Sequence, residues 1–181
     1  EKVADVLLVE DNPAEARLLA EVIRGSPVRI NPVLAMNGDD ALGYLRRLGP
    51  HAAARRPQLV LLDLNLPGRD GREILEEIKR DPDLRRIPVV VLTTSGSPRD
   101  VRRAYDAHAN CFITKPAELA EYRRVLRALV EFWLCIVKLP SDLGNDDERE
   151  HARAGGGGQS RRRRLAAGTA PARGVRRVDR G

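Results

Sequence analysis

The sequence predicts a doubly wound α/β domain, a parallel sheet covered by helices on both faces, and three observations carry that prediction. Short apolar runs alternate five times with amphipathic stretches that open on helix-capping residues. The first run, Val-Ala-Asp-Val-Leu-Leu-Val, is nearly apolar throughout, as a strand buried on both faces must be. Four of the five runs end on residues able to do chemistry, the expected site of function in an open parallel sheet.

Each element follows from local signals. The first strand runs from Val3 to Val9 and ends on Glu10 and Asp11. Asn12 then offers an N-cap, Pro13 suits the first helical position and Glu15 closes a capping box, so a helix runs to about Arg24 and stops at Gly25. Arg29 to Ala35 reads as the second strand and Asp39 to Leu48 as its helix; Leu59 to Leu62 and Gly71 to Arg80 form the third unit, ended by Asp81 and Pro82. The fourth strand, Val89 to Leu92, precedes a helix from Pro98 to His108 announced by Ser97, Pro98 and Asp100. The fifth, Cys111 to Thr114, leads into a last helix from Pro116 to about Val137.

That last helix carries more apolar surface than one stripe needs. Leu119, Tyr122, Leu126, Leu129, Trp133 and Ile136 recur at spacings that pack on a sheet, while Val125, Val130, Phe132 and Val137 extend the apolar face around the helix. The surplus predicts a symmetric homodimer with Phe132 or Trp133 among its anchors.

Composition bounds the rest. With 181 residues, 42% apolar and 32% charged, the chain has enough length to bury a core of ~100–150 residues without disulfides or structural metal. Its two cysteines, Cys111 and Cys135, lie in apolar stretches and read as reduced, buried thiols. No apolar run reaches membrane-span length and no signal segment precedes the first strand, so a cytoplasmic location and no membrane partner are expected. The net charge of +6 is uneven: residues 141–181 hold ten Arg and six acidic residues, which leaves the body nearly neutral. All six aromatics fall before residue 140. The domain boundary is therefore placed at 140, with 1–140 folded and 141–181, carrying Gly155 to Gly158 and Arg161 to Arg164, a disordered Gly/Arg-rich tail.

The strand ends assemble a site if the strands take the order 2-1-3-4-5, one of the two common orders of doubly wound sheets. Glu10 and Asp11 after the first strand, Asp63 after the third, Thr93 after the fourth and Lys115 after the fifth would then converge. Carboxylates so close repel one another unless a hard cation joins them, and Mg2+ suits a site of few carboxylates, water and phosphate. Asp11 and Asp63 are expected as direct ligands, Glu10 through water, and the backbone carbonyl of Asn65 as a further oxygen. Lys115 and Thr93 could hold the oxygens of a phosphoryl group on Asp63.

These residues resemble the receiver domain of two-component response regulators, over nearly all of residues 2–140. The resemblance rests on Leu-Val-Glu10-Asp11-Asn-Pro, on Leu-Leu-Asp63-Leu-Asn65-Leu-Pro67-Gly68 running to Gly71, on Val-Val-Val-Leu-Thr93-Thr94-Ser95, and on Phe112-Ile-Thr-Lys115-Pro116. It implies a flavodoxin-like fold of five parallel strands and five helices, Mg2+ on the acid pair, Asp63 phosphorylated by a sensor histidine kinase, phosphate contacts from Thr93 and Lys115, and a switch role for Thr93 and Phe112. The endings Tyr105-Asp-Ala-His108-Ala-Asn110-Cys111-Phe112 and Glu131-Phe132-Trp133-Leu134 resemble single-domain regulators that partner phytochrome-type kinases. Such a switch turns over no substrate beyond its own phosphorylation and slow self-hydrolysis.

Two other readings stand beside it. A Mg2+-dependent phosphohydrolase with Asp63 as nucleophile would need a second acid two positions on, where Asn65 stands. A nucleic-acid or other polyanion binder would act through the tail arginines, and residues 141–181 lack the apolar periodicity of a helix-turn-helix.

Overall fold

A computed structural model describes residues 3–140, and the proposed boundary at 140 and the tail 141–181 are not described beyond that point. Five parallel strands, β1 (Val3–Val9), β2 (Arg29–Ala35), β3 (Leu59–Leu62), β4 (Val89–Thr93) and β5 (Cys111–Thr114), form one sheet in the order β2-β1-β3-β4-β5. The helices are α1 (Pro13–Arg24), α2 (Gly38–Leu45), α3 (Gly71–Arg80), α4 (Pro98–Asp106) and α5 (Leu119–Glu131). No helix among the described residues is long and apolar enough to cross a membrane.

Side-chain alternation divides the core into two layers. Leu7, Val9, Val60, Leu62, Val89 and Val91 point to one face and meet Leu42 and Leu45 of α2, Ile74 and Ile78 of α3 and Ala104 of α4. Val6, Leu8, Leu59, Leu61, Val90 and Leu92 point to the other and meet Leu19 and Ile23 of α1 and Tyr122, Leu126 and Leu129 of α5. Both faces are thus covered, which is why these strands are almost purely apolar. Pro32 lacks an amide donor and lies in β2, at the sheet edge, where the ladder tolerates it.

The helix ends differ from expectation for identifiable reasons. α2 stops at Leu45 because Arg47 adopts φ 57°, letting Arg47 N–H donate to Tyr44 O and Leu48 N–H to Gly43 O. α4 stops at Asp106 in the same way: His108 has φ 63°, and the amides of His108 and Ala109 return to Tyr105 O and Ala104 O. Both are Schellman terminations in which a residue with a side chain occupies the position glycine favours, so the usual sequence signal was missing. A 3-10 turn over Gly49–His51 follows the first of them.

α5 begins at Leu119 rather than at Pro116, because the Lys115 amide still bonds Thr93 O at 2.8 Å and keeps the chain on the sheet one residue past β5. The final turn, Phe132–Ile136, is a π-helix. Extra backbone in that turn rotates the remaining side chains away from the expected stripe. Ile136 is exposed, Trp133 is half-buried and Phe132 is 50% exposed; ahead of the turn, Leu119 at the start of α5 is exposed and Val130 joins the core. Cys135, expected to be buried, is exposed; Cys111 is half-buried on β5.

The start of α1 departs from expectation as well. Asn12 caps the helix by accepting from Ala14 N–H, but its own amide donates to Glu10 Oε1 at 3.0 Å, so the reciprocal capping box does not close through Glu15. Glu15 accepts from the Asn12 carboxamide with one oxygen, at 3.3 Å, and turns the other toward the sheet.

Candidate functional site

Five polar side chains are buried among the described residues, and four of them, Glu10, Asp63, Thr93 and Lys115, meet at the carboxyl ends of β1, β3, β4 and β5. The strand order places these ends side by side, as a doubly wound sheet does at its functional edge. Lys115 is the hub. Its Nζ donates to Glu10 Oε2 and to Asp63 Oδ2, both at 2.7 Å, and to Glu15 Oε2 at 2.5 Å. The fifth buried polar residue, Asp5, lies elsewhere on β1 and accepts from Asn31 Nδ2 at 2.7 Å.

Backbone donors aim the two buried acids. Asp63 Oδ1 accepts from Asn65 N–H at 2.9 Å and Glu10 Oε1 from Asn12 N–H at 3.0 Å, each within two residues in sequence. The Asp63 loop is pressed against the start of α3 at Gly71, whose amide donates to Leu64 O at 3.0 Å. A Cβ at Gly71 would stand 2.3 Å from Asp63 O and 2.6 Å from Leu64 Cα, so only glycine fits. Thr93 is fully buried, and its Oγ1 accepts from Asn65 Nδ2 and Ser95 N–H, both at 3.3 Å.

Burial raises the Glu10 carboxyl, and its bonds to Lys115 and the Asn12 amide only partly offset that. Burial alone would depress the Lys115 ammonium. Hydrogen bonds to Asp63, Glu10 and Glu15 overcome it and hold the amine above the ordinary lysine range. Lys115 is therefore a permanent cation.

Glu10, Glu15 and Asp63 offer carboxylate oxygens that all lie within 4.8 Å of one another. One lysine leaves this group with a surplus of negative charge, and an all-oxygen donor set with net negative charge is a divalent-metal site for a hard cation. Glu15 was missed as a site residue because its spacing from Asn12 matched a capping box. Asp11, expected as a direct ligand, is exposed and stands outside this trio. The Asn65 side chain turns to Thr93 and Thr94, at 3.3 Å each. Phe112 is half-buried on β5 against the α2 to α4 side of the core.

The arrangement can place a carboxylate nucleophile, Asp63, beside a fixed cation and a hydroxyl, with further carboxylates for a metal. That is the equipment of aspartyl phosphorylation.

Comparison with known proteins agrees with this chemistry. Residues 6–127 match the family model described as response regulator receiver domain. Response regulator Rcp1 of Synechocystis sp. is 45% identical over 136 residues, covering 75% of this chain and 92% of that protein. The crystal structure of the phosphorylated cyanobacterial phytochrome response regulator RcpA is similar at a TM-score of 0.75 and 48% identity, over 77% of this chain and 99% of that one. The Mn2+-bound form of Rcp1 gives 0.74 and 44%, over 76% and 99%.

Proposed function

This chain belongs to the response regulator receiver family, and from that premise we propose that Asp63 is its phosphoacceptor and that a sensor histidine kinase of the phytochrome type is its phosphodonor. It is a phosphoaccepting switch of two-component signalling rather than an enzyme with its own substrate. The observation that carries the assignment of Asp63 is its position: buried, aimed by the Asn65 amide and bonded to Lys115 Nζ at 2.7 Å.

In the transfer, a carboxylate oxygen of Asp63 attacks phosphorus, the nitrogen–phosphorus bond of a phosphohistidine breaks, and its electron pair stays on the imidazole. Glu10, Asp63 and Glu15 would hold Mg2+, with Asp11 and the Asn65 carbonyl offering further oxygens, and the ion would supply charge neutralisation. Lys115 binds a phosphoryl oxygen, and Thr93, whose Oγ1 accepts from Asn65 and Ser95, donates its hydroxyl hydrogen to another. Phe112, three residues before Lys115 on β5, transmits the change. The phosphohydrolase alternative is disfavoured because Asn65 is engaged with Thr93 and Thr94 where an acid would be required.

The decisive experiment is Mg2+-dependent labelling by a small phosphodonor. Wild type takes up base-labile phosphate and Asp63→Asn takes up none; undiminished labelling of the variant overturns the assignment.

Output passes to protein partners. Phe132 and the half-buried Trp133 border a groove of about 310 Å³ lined also by Cys111, Ile113, Val125 and Leu129, beside the edge strand β5. A second copy of the chain fits this apolar face, and light scattering over a concentration range checks it. Strictly monomeric protein in both phosphorylation states refutes the dimer. Residues 1–140 make up the cytoplasmic receiver in this reading, and labelling persists when 141–181 are deleted; loss of polyanion binding on that deletion would give the tail its own role.

A further inference from the structure

Lys115 is fully committed. An ammonium has three hydrogens, and Glu10, Asp63 and Glu15 take one each. The acids are not held alike. The second oxygens of Glu10 and Asp63 accept backbone amides, whereas the second oxygen of Glu15 accepts only the Asn12 carboxamide among the described residues, at 3.3 Å. Exposure follows the same order. The side chains of Lys115, Asp63 and Glu10 are 4%, 8% and 9% exposed, and that of Glu15 is 28% exposed. Glu15 also lines, with Thr94, Pro116 and Ala117, a groove of about 470 Å³ that reaches Lys115 from outside. It stands on the solvent side of the ammonium.

A phosphoryl group on Asp63 brings oxygens that need the Lys115 cation, yet Nζ has no hydrogen to spare. Esterification takes the charge off Asp63 itself, and the phosphoryl group in its place carries more charge and more oxygens than the carboxylate offered, so a second hydrogen of Nζ has to be freed. Of the two acids still holding Nζ, Glu10 is tethered through the backbone amide beside it, and Glu15 is not. We propose that Glu15 is the exchangeable partner of Lys115: it occupies the ammonium hydrogen that a phosphoryl oxygen takes over, and so sets how readily the switch is thrown. With Asp63 read as the phosphoacceptor, removing the Glu15 charge eases arrival of an anionic phosphoryl group by freeing Nζ and by relieving like-charge repulsion. The same removal weakens divalent-cation binding, because the cluster loses one of its charges. A residue that merely braced α1 or oriented Lys115 would act on the first quantity in the opposite direction.

Beryllium trifluoride, a non-covalent stand-in for the phosphoryl group, is the probe, applied to the full chain at saturating Mg2+. Glu15→Gln and Glu15→Ala are expected to bind it about two- to fivefold more tightly than wild type, the scale of one exposed charge pair. Mg2+ alone is expected to bind both about two- to fivefold more weakly. Glutamine keeps the shape, and alanine removes any residual carboxamide bond to Nζ. Unchanged or weaker beryllium trifluoride binding in both variants, with the fold intact by circular dichroism, overturns the role given to Glu15. Failure of wild type to bind the probe, or equal binding by Asp63→Asn, overturns instead the reading of Asp63.

Discussion

Arg72 Nη2 donates to Asp100 Oδ1 at 2.7 Å and so ties the first turn of α3 to the first turn of α4. The tie extends both ways. Arg72 Nη1 is held by the N-cap Asp70, and Asp100 Oδ2 accepts from Ser95 Oγ, whose backbone amide donates to Thr93 Oγ1. A hydroxyl expected to turn toward phosphate is thereby one residue from a clamp on α4. Ser95, Arg72 and Ser97 together hold the Asp100 carboxyl down to about 2. A free aspartate titrates near ~3.9, so the stabilisation is complete above about pH 4 and is lost as pH falls through the folded value. Asp100→Asn should flatten the fall of melting temperature between pH 4 and 2, and an unaltered slope would show that the clamp does not form in solution.

Removing Lys115 leaves Glu10, Glu15 and Asp63 in mutual range without their cation. Lys115→Met should melt lower than wild type in chelator and regain more of that loss on adding Mg2+. Binding that favours only the folded state adds ~2.7 kcal/mol at a hundred times the dissociation constant. Calorimetry with and without Mg2+ checks this, and an equal Mg2+ response in both chains would contradict it.

Gly71→Ala forces a Cβ into the backbone of Asp63 and Leu64. Neither is a flexible side chain that can step aside, so the head of α3 and the phosphoacceptor loop must part. The cost should exceed ~2 kcal/mol, and labelling of Asp63 should fall with it. A variant with wild-type melting and labelling would refute the contact.

Arg47 and His108 are exposed and hold positive φ at the ends of α2 and α4. Arg47→Gly and His108→Gly should each stabilise by ~0.5–1 kcal/mol, the left-handed penalty less the flexibility glycine adds to the unfolded chain. Alanine at either position should give no such gain. Denaturant melts decide it, and a loss of stability on glycine substitution would count against the Schellman reading.

Much of this molecule was legible in order along the chain. Apolar runs, N-caps at Asn12 and Ser97, and the stop at Asp81 act within a few residues, so strands β1, β2, β3 and β5 and helices α1 and α3 lie where the sequence placed them. The convergence of Glu10, Asp63, Thr93 and Lys115 was legible too, because a parallel sheet puts every strand's carboxyl end on one side. What only the tertiary structure decided were pairings between distant residues and the choice among local options of similar energy. Glu15 satisfied a capping pattern and could have closed it, but Lys115, 100 residues away, offers a cation that an amide cannot match. Arg47 and His108 enter the left-handed region because the helix-ending hydrogen bonds outweigh a penalty that composition alone would have avoided. The π turn at Phe132–Ile136 likewise has no local marker, and it decides that Ile136 faces solvent while Trp133 packs on the core. Local physics places the elements; which side chains meet depends on the approach of elements far apart in the chain.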